Sequence, residues 1–152
     1  VVKAPTYLGL PTTFGDKINQ YSVTAVSDAE VCFIDVHVFQ NILNENREFS
    51  NDIIIELCQN ELESFHRCAN RTQKQIRGNM ADALLEFSDK IFMSDTFTIP
   101  LTQAELANLV DTSRESVSRV LTEFDKDEII KIKGKQIEIV NKKSLKLISQ
   151  NG

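Results

Sequence analysis

"LTQAELANLVDTSRESVSRVL", residues 101–121, holds two short apolar stripes separated by a handful of polar residues. Thr102, with Glu105 three positions on, makes a capping box, in which hydroxyl and carboxylate each satisfy a backbone N–H at a helix start. Leu106, Leu109 and Val110 then recur at helical spacing. Asp111 and Thr112 form a tight turn, and Ser113 is placed to cap a second helix. Helix, short turn and helix within about twenty residues is the helix-turn-helix pattern.

The second helix divides cleanly by angle. At about 100° per residue from Arg114, Ser118 falls near 40°, Glu115 near 100° and Arg119 near 140°. Val120, Phe124, Val117 and Leu121 occupy roughly 240° to 340° on the same count. One face is therefore core. The other carries two guanidiniums, a carboxylate and a small hydroxyl near the helix start. A guanidinium fork pairs with guanine O6 and N7, and a carboxylate accepts from cytosine N4. These are the candidate base-reading residues. A solvated face whose Arg and Glu pair with each other would have the same composition, and the capped first helix and tight turn decide against it.

Downstream, "EIIKIKGKQIEIV" alternates apolar and polar residues on both sides of Gly134-Lys135, a hairpin signal. Lys131, Lys133 and Lys135 lie on the outward side or the tip, where a wing would meet phosphate. A plain solvated hairpin would look the same.

Upstream, residues 1–34 read as short strands broken by turns, with "YSVTAV" and "EVCFI" as β-branched and aromatic runs. Three or four strands are few for an independent sheet, so the missing half of a sheet domain is expected upstream. At Asp35 the pattern becomes helical, with Val38, Phe39, Ile42 and Leu43 on one side of "DVHVFQNILNEN". A proline-free stretch of over thirty residues follows, its apolar positions three or four apart. That length and seam predict a self-associating helix over 51–77, with Ile54, Leu57, Cys58, Glu61, Ser64, Phe65 and Cys68 at the dimer interface. Packing within its own domain is the alternative. Gly78 reads as a hinge or helix break. "NMADALLEFSDKI" reads as another helix, and "IFMSDTFTIPL" as two short strands around a Ser-Asp turn.

Strands, long helix, hinge, helix-turn-helix and hairpin in this order resemble the CRP/FNR family, the cyclic-AMP-receptor-like bacterial transcription regulators. "SRESVSR" after "TQAELA" is the specific part of the match, which covers essentially the whole chain. The resemblance implies an α+β fold. Residues 1–50 would be a partial cyclic-nucleotide-binding-like β-roll with a flanking helix, 51–77 the dimerisation helix, and 78–152 a winged helix-turn-helix domain. It implies base reading by Arg114, Glu115 and Arg119, with Ser118 beside them, at a TGTGA-like half-site. Thr102, Ser113 and Ser116 match phosphate-contacting positions, and Lys133 and Lys135 join them from the wing. The partners implied are double-stranded DNA, a second copy of the chain, and RNA polymerase. Asp111 stands where the family often has a turn glycine.

The effector positions depart further. Cyclic-nucleotide binders use a Gly-Glu pair and an Arg-Ser pair around ribose and cyclic phosphate. Here Gly9 and Ser22 remain, but Leu10 replaces the glutamate and Tyr21 the arginine, removing the charge-assisted phosphate contact. Tight cyclic-nucleotide binding is therefore not expected, and the effector is left open. His37 and His66 are isolated among polar neighbours and read as surface histidines rather than haem ligands. Cys32, Cys58 and Cys68 lack metal-ligand spacing and form an odd set, the pattern of reduced cytosolic thiols.

The 152 residues carry a net charge of −5, which at first argues against a polyanionic partner. The acidity is uneven: residues 1–97 sum to −6 and residues 98–152 to +1. A basic face of this kind also suits docking on a protein, the rival reading. No apolar run approaches the ~20 residues needed to span a bilayer. No nucleophile–base set, metal-binding spacing or glycine-rich phosphate loop points to an enzyme or a cofactor.

Overall fold

The computed structural model describes the backbone of residues 1–152 and every side chain except those of residues 67 and 70–73. Contacts divide the chain into two units, Pro5–Arg67 and a second made of Val1–Ala4 with Cys68–Gly152.

The first unit contains α1 (Leu10–Phe14), α2 (Val36–Glu45) and the larger part of α3 (Arg47–Gln73). Asp35 starts α2 as expected, its carboxylate accepting from the backbone N–H groups of His37 and Val38. These two bonds favour the charged form and hold the Asp35 carboxyl below its ordinary pKa. Asn46 caps α3 in the same way, accepting from Phe49 N–H at 3.0 Å. Leu10, Phe39 and Ile53 form the small core, with Leu43, Phe49 and Leu57 packed on it. Phe49, Tyr7 and Phe14 ring Phe39 at centroid distances of 5.7, 6.0 and 6.1 Å.

One expectation fails here. Residues 1–34 contain no strand, and the only regular element among them is α1. A strand is stabilised by its ladder partner and buried face, and "YSVTAV" and "EVCFI" have neither: Val23, Val31 and Ile34 are exposed and Phe33 is 98% exposed. The expected partial β-roll is thus replaced by a short helix and irregular chain. Leu57, expected on the dimer seam, is half-buried and packs on this small core. About 300° from Ile54 on the helical wheel, it shares the inner side of α3 with Ile53, which is 4% exposed.

The second unit has the order α4 (Ile76–Glu86), a π-helical turn (Phe87–Ile91), β1 (Thr96–Thr98), α5 (Gln103–Leu109), α6 (Arg114–Lys126), β2 (Ile130–Lys133), β3 (Gln136–Ile139) and α7 (Lys142–Asn151). The sheet is antiparallel in the order β1-β3-β2, with Phe97 and Ile132 both opposite Ile137. Its inner side, Phe97, Ile130, Ile137 and Ile139, joins Met80, Leu84, Phe87, Val117, Phe124 and Leu145 in one core. Of the two strands expected in "IFMSDTFTIPL", only β1 forms. The first half instead closes α4 with the π turn, Phe92 N–H donating to the Phe87 carbonyl five residues back. Phe87 thereby stays in the core at 2% exposure.

A polar cluster ties the π turn, the start of β1 and α7 together. Lys142 Nζ donates to Asp95 and to Ser88 Oγ (3.0 Å) and lies 2.6 Å from Asp89 Oδ1, while Ser88 donates to Asp95 at 2.7 Å. Hydrogen bonds from Lys142 and Ser88 lower the pKa of Asp95, and those to Asp89 and Asp95 raise that of Lys142.

Gly78 is not the break. The helix ends at Gln73 and restarts at Ile76, with the extended Gln75 as N-cap of α4. Gly78 lies inside α4 and is buried because the C-terminal end of α7 crosses it: a Cβ there would sit 2.6 Å from the Gly152 carbonyl oxygen. The obstacle is backbone, so a side chain must push the helices apart. Gly78→Ala is expected to cost about 1–3 kcal/mol in denaturant unfolding. An unchanged midpoint would mean that α4 and α7 separate without penalty.

Candidate nucleic-acid interface

The interface is built by two capped helices and the turn between them. At α5, Glu105 N–H donates to Thr102 Oγ1 (3.2 Å) and Thr102 N–H to Glu105 Oε2 (2.7 Å), the reciprocal capping box read from the sequence. Hydrogen bonds from the Thr102 backbone N–H and hydroxyl to its carboxylate lower the Glu105 pKa. Thr102 also donates its hydroxyl proton to Glu105 Oε2 at 2.8 Å, so the side chain expected to meet phosphate serves the cap first.

α5 ends in a Schellman motif. Val110 is its C-cap, and Thr112 N–H donates to the Ala107 carbonyl at 3.0 Å. The motif requires a left-handed residue after the C-cap, and Asp111 supplies it with φ 52°. α6 closes likewise, with Glu128 at φ 56° and Ile129 N–H donating to the Phe124 carbonyl at 2.9 Å. Two left-handed non-glycine residues thus frame the second helix.

Ser113 caps α6, accepting from Ser116 N–H at 3.2 Å and donating to Ser116 Oγ at 3.2 Å. The two hydroxyls expected at phosphate therefore lie together at one helix start. Val117, Val120, Leu121 and Phe124 are all buried, as the angular reading requires. Arg114, Glu115, Ser118 and Arg119 are exposed. Among the described residues no carboxylate ion-pairs with Arg119. Glu115 lies at the positive end of the helix. Its own backbone N–H and the Ser113 hydroxyl lower its pKa, keeping it ionised as a hydrogen-bond acceptor. Arg114 Nε reaches back to Gln103 Oε1 on α5, a long contact at 3.5 Å. Gln103 was missed by sequence reasoning, because a contact across eleven positions and a turn leaves no periodic trace.

The β2–β3 hairpin forms with the two-residue turn Gly134-Lys135, Lys133 pairing with Gln136 across it, and Gly134 takes φ 64°. Lys131, Lys133 and Lys135 are all exposed, on the sheet's outer side or in the turn. All five expected phosphate-contacting residues thus lie at helix starts or on the wing.

The other expected sites sit in the first unit or at its edge. Gly9 (φ 88°) donates its N–H to the Tyr21 hydroxyl at 3.0 Å, so two of the four effector positions do meet. Leu10 is turned into the core at 7% exposure, and Ser22 is exposed. On α3, Ile54 (59%), Leu62 (59%) and Phe65 (66%) leave an apolar face open, flanked by exposed Cys58, Glu61, Ser64 and Cys68. The part of the 51–77 segment at residues 67 and 70–73 lies outside the described side chains. Among the described residues no group of three or more His, Cys, Asp or Glu is placed to hold a metal ion, and no helix is long and apolar enough to cross a membrane.

Two capped helices, a left-handed turn and a basic hairpin define a winged helix-turn-helix domain, and residues 79–148 match the model of the Crp-like helix-turn-helix domain. The chain is similar to regulators of the CRP/FNR family. It is 22% identical over 139 residues to the fumarate and nitrate reduction regulatory protein of Vibrio cholerae, and 27% over 123 residues to the probable transcriptional regulator flp of Lacticaseibacillus casei. The matches cover 88% and 81% of this chain, and 55% of each relative. The chain thus spans about half the length of these relatives. Among solved structures it is similar to a CRP/FNR-family transcriptional regulator of Thermus thermophilus (TM-score 0.60, 25% identity, 68% of this chain and 55% of that one). FixK2 of Bradyrhizobium japonicum shares the fold (TM-score 0.72, 15% identity, 76% of this chain and 59% of that one).

The left-handed turn gives a direct test. An L-residue with a Cβ pays about 1–2 kcal/mol in this conformation and glycine does not. Asp111→Ala and Asp111→Gly both remove the aspartate side chain, so their difference isolates the backbone. The glycine variant is expected to be more stable by about 1 kcal/mol. Equal stabilities would show that the turn relaxes out of the left-handed region.

Proposed function

We propose that this chain is a sequence-specific, DNA-binding transcription regulator that reads a palindromic site as a homodimer. The observation that carries the reading is the exposed Arg114, Glu115, Ser118 and Arg119 set on one side of a helix whose other side is entirely buried. Arg114 and Arg119 each take a guanine edge, Glu115 accepts from a cytosine, and Ser118 is small enough to let the backbone approach. Thr102, Ser113, Ser116, Lys133 and Lys135 contact phosphates and set register without carrying sequence information. The side of α3 that carries Ile54, Leu57, Cys58, Glu61, Ser64, Phe65 and Cys68 is the dimer contact, and would place two recognition helices about one DNA turn (~34 Å) apart. Family resemblance adds RNA polymerase as a partner of the bound dimer.

The curated relatives are named as regulators, several of them transcriptional, which gives no support to the alternative of a protein-docking module without DNA. Nor does the Ser88–Lys142 contact make an enzyme. Asp89 and Asp95 hold Lys142 protonated, the wrong state for a general base. At the effector positions, Tyr21 closes onto the Gly9 N–H and brings no positive charge to a phosphate. We therefore read that region as one that does not bind cyclic nucleotides tightly.

Selection of bound sequences from random duplexes tests the reading. The expected motif is an inverted repeat with TGTGA-like halves. Arg119→Ala should weaken binding to it, relaxing one base pair per half-site by about 1–3 kcal/mol. Lys133→Ala should weaken all duplexes alike and lower the salt slope by about one unit, because a phosphate contact releases counterions whatever the sequence. An unchanged motif with Arg119→Ala, beside an altered one with Lys133→Ala, would reverse the assignment of reader and anchor.

A further inference from the structure

The reading face occupies the N-terminal half of α6, yet the most elaborate side-chain contact to this helix is at its other end. Arg77, in the first turn of α4, places NH1 3.2 Å from Glu123 Oε2 and NH2 3.2 Å from Asp127 Oδ2. Its Cζ lies 5.3 Å from the centroid of the Phe124 ring. One guanidinium therefore engages three residues within five positions of the helix. Glu123 and Asp127, four apart, share a side of the last turn, and Phe124, fully buried, lies between them in sequence. A cation here also meets the negative end of the α6 dipole.

We propose that Arg77 is a positioning residue for base reading, a clamp that sets the pose of the recognition helix from its far end. The buried stripe of Val117, Val120, Leu121 and Phe124 fixes which way α6 faces. Apolar packing is non-directional, so it restrains slide and tilt less well than a planar fork held by two carboxylates and stacked on a ring. Helical rise puts Arg114 about 14 Å along the axis from Glu123, so a small tilt at one end is felt as a displacement at the other. Bidentate base contacts tolerate only about 0.5 Å and 10–20°. Both ion pairs are roughly half exposed, and such pairs add little to stability. The clamp thus acts on pose far more than on folding. Its place matters too. Arg77 stands two residues after Gln75, where the chain leaves α3 and restarts as α4, so the recognition helix is tied to the first turn after that break.

The inference rests on the DNA-reading role proposed above, and the test separates the two. Affinities of the 152-residue chain are measured for the selected duplex and for a random-sequence duplex at one salt concentration. Arg77→Ala is expected to lower the ratio of specific to non-specific affinity roughly tenfold, within the range of one lost base contact. Non-specific affinity and thermal midpoint should stay nearly unchanged. Arg77→Lys, which keeps the charge but not the fork, should fall between. Glu123→Gln with Asp127→Asn should reproduce the Arg77→Ala defect, and combining all three changes should add nothing, because they remove one interaction. An unchanged ratio, or full additivity, overturns the clamp. If the unaltered chain shows no sequence preference, the failure falls on the DNA-reading role, and amide exchange tests the clamp alone. Arg77→Ala should then speed exchange in residues 123–129 selectively, and unchanged protection there overturns the proposal.

Discussion

Burial of one stripe of α6 is the constraint on which the helix-turn-helix unit turns. Val117, Val120, Leu121 and Phe124 are each worth about 1.5–3 kcal/mol when removed from water. They can be buried together only if the helix presents its other side to solvent. That side carries Arg114, Glu115, Ser118 and Arg119, so the core that stabilises the unit also selects what faces outward. Met80 and Leu84 of α4, the inner side of the three-stranded sheet and Leu145 of α7 complete the same core. The β2–β3 hairpin is fixed relative to α6 through that core rather than through its own turn.

The caps convert this packing into a defined helix start. Ser113 and the capping box at Thr102 satisfy backbone donors that would otherwise seek water, and the Schellman turn at Asp111 sets the direction in which α6 leaves α5. A left-handed aspartate is a costly way to do this. That the helix-turn-helix geometry is kept all the same shows that the hydrogen bonds and the buried stripe outweigh the strain. Arg77 acts on the opposite end of the same helix, so α6 is held by directional contacts at both ends and by apolar packing between them.

What could be read from the sequence follows the range of each interaction. Caps, stripes and the hairpin turn are set by residues within four positions of each other, and Asp35, Thr102–Glu105, Ser113 and Gly134 all take their expected roles. Features set by distant partners were misread or missed. Gly78 looked like a break because its neighbour in space, Gly152, is far away in the chain. That Leu57 packs on the core of Phe39 and Leu10 likewise has no local signal. The β-branched runs before residue 35 looked like strands, but propensity without a ladder partner does not make one. Gln103 beside Arg114 and Arg77 beside Glu123 join residues eleven and forty-six positions apart, beyond any periodic signal. Which residues α6 exposes was therefore legible, and the scaffold that holds the helix was not.

The central claim is that the N-terminal half of α6, with the wing beside it, is the surface that meets DNA. Titrating the isotopically labelled chain with a short duplex, while following backbone amide resonances, measures this residue by residue. The account predicts that the largest shifts fall on Ser113–Arg119, with smaller and more salt-sensitive shifts on Lys131–Lys135. Shifts concentrated on α7 or the π turn, with residues 113–119 unmoved, would contradict it.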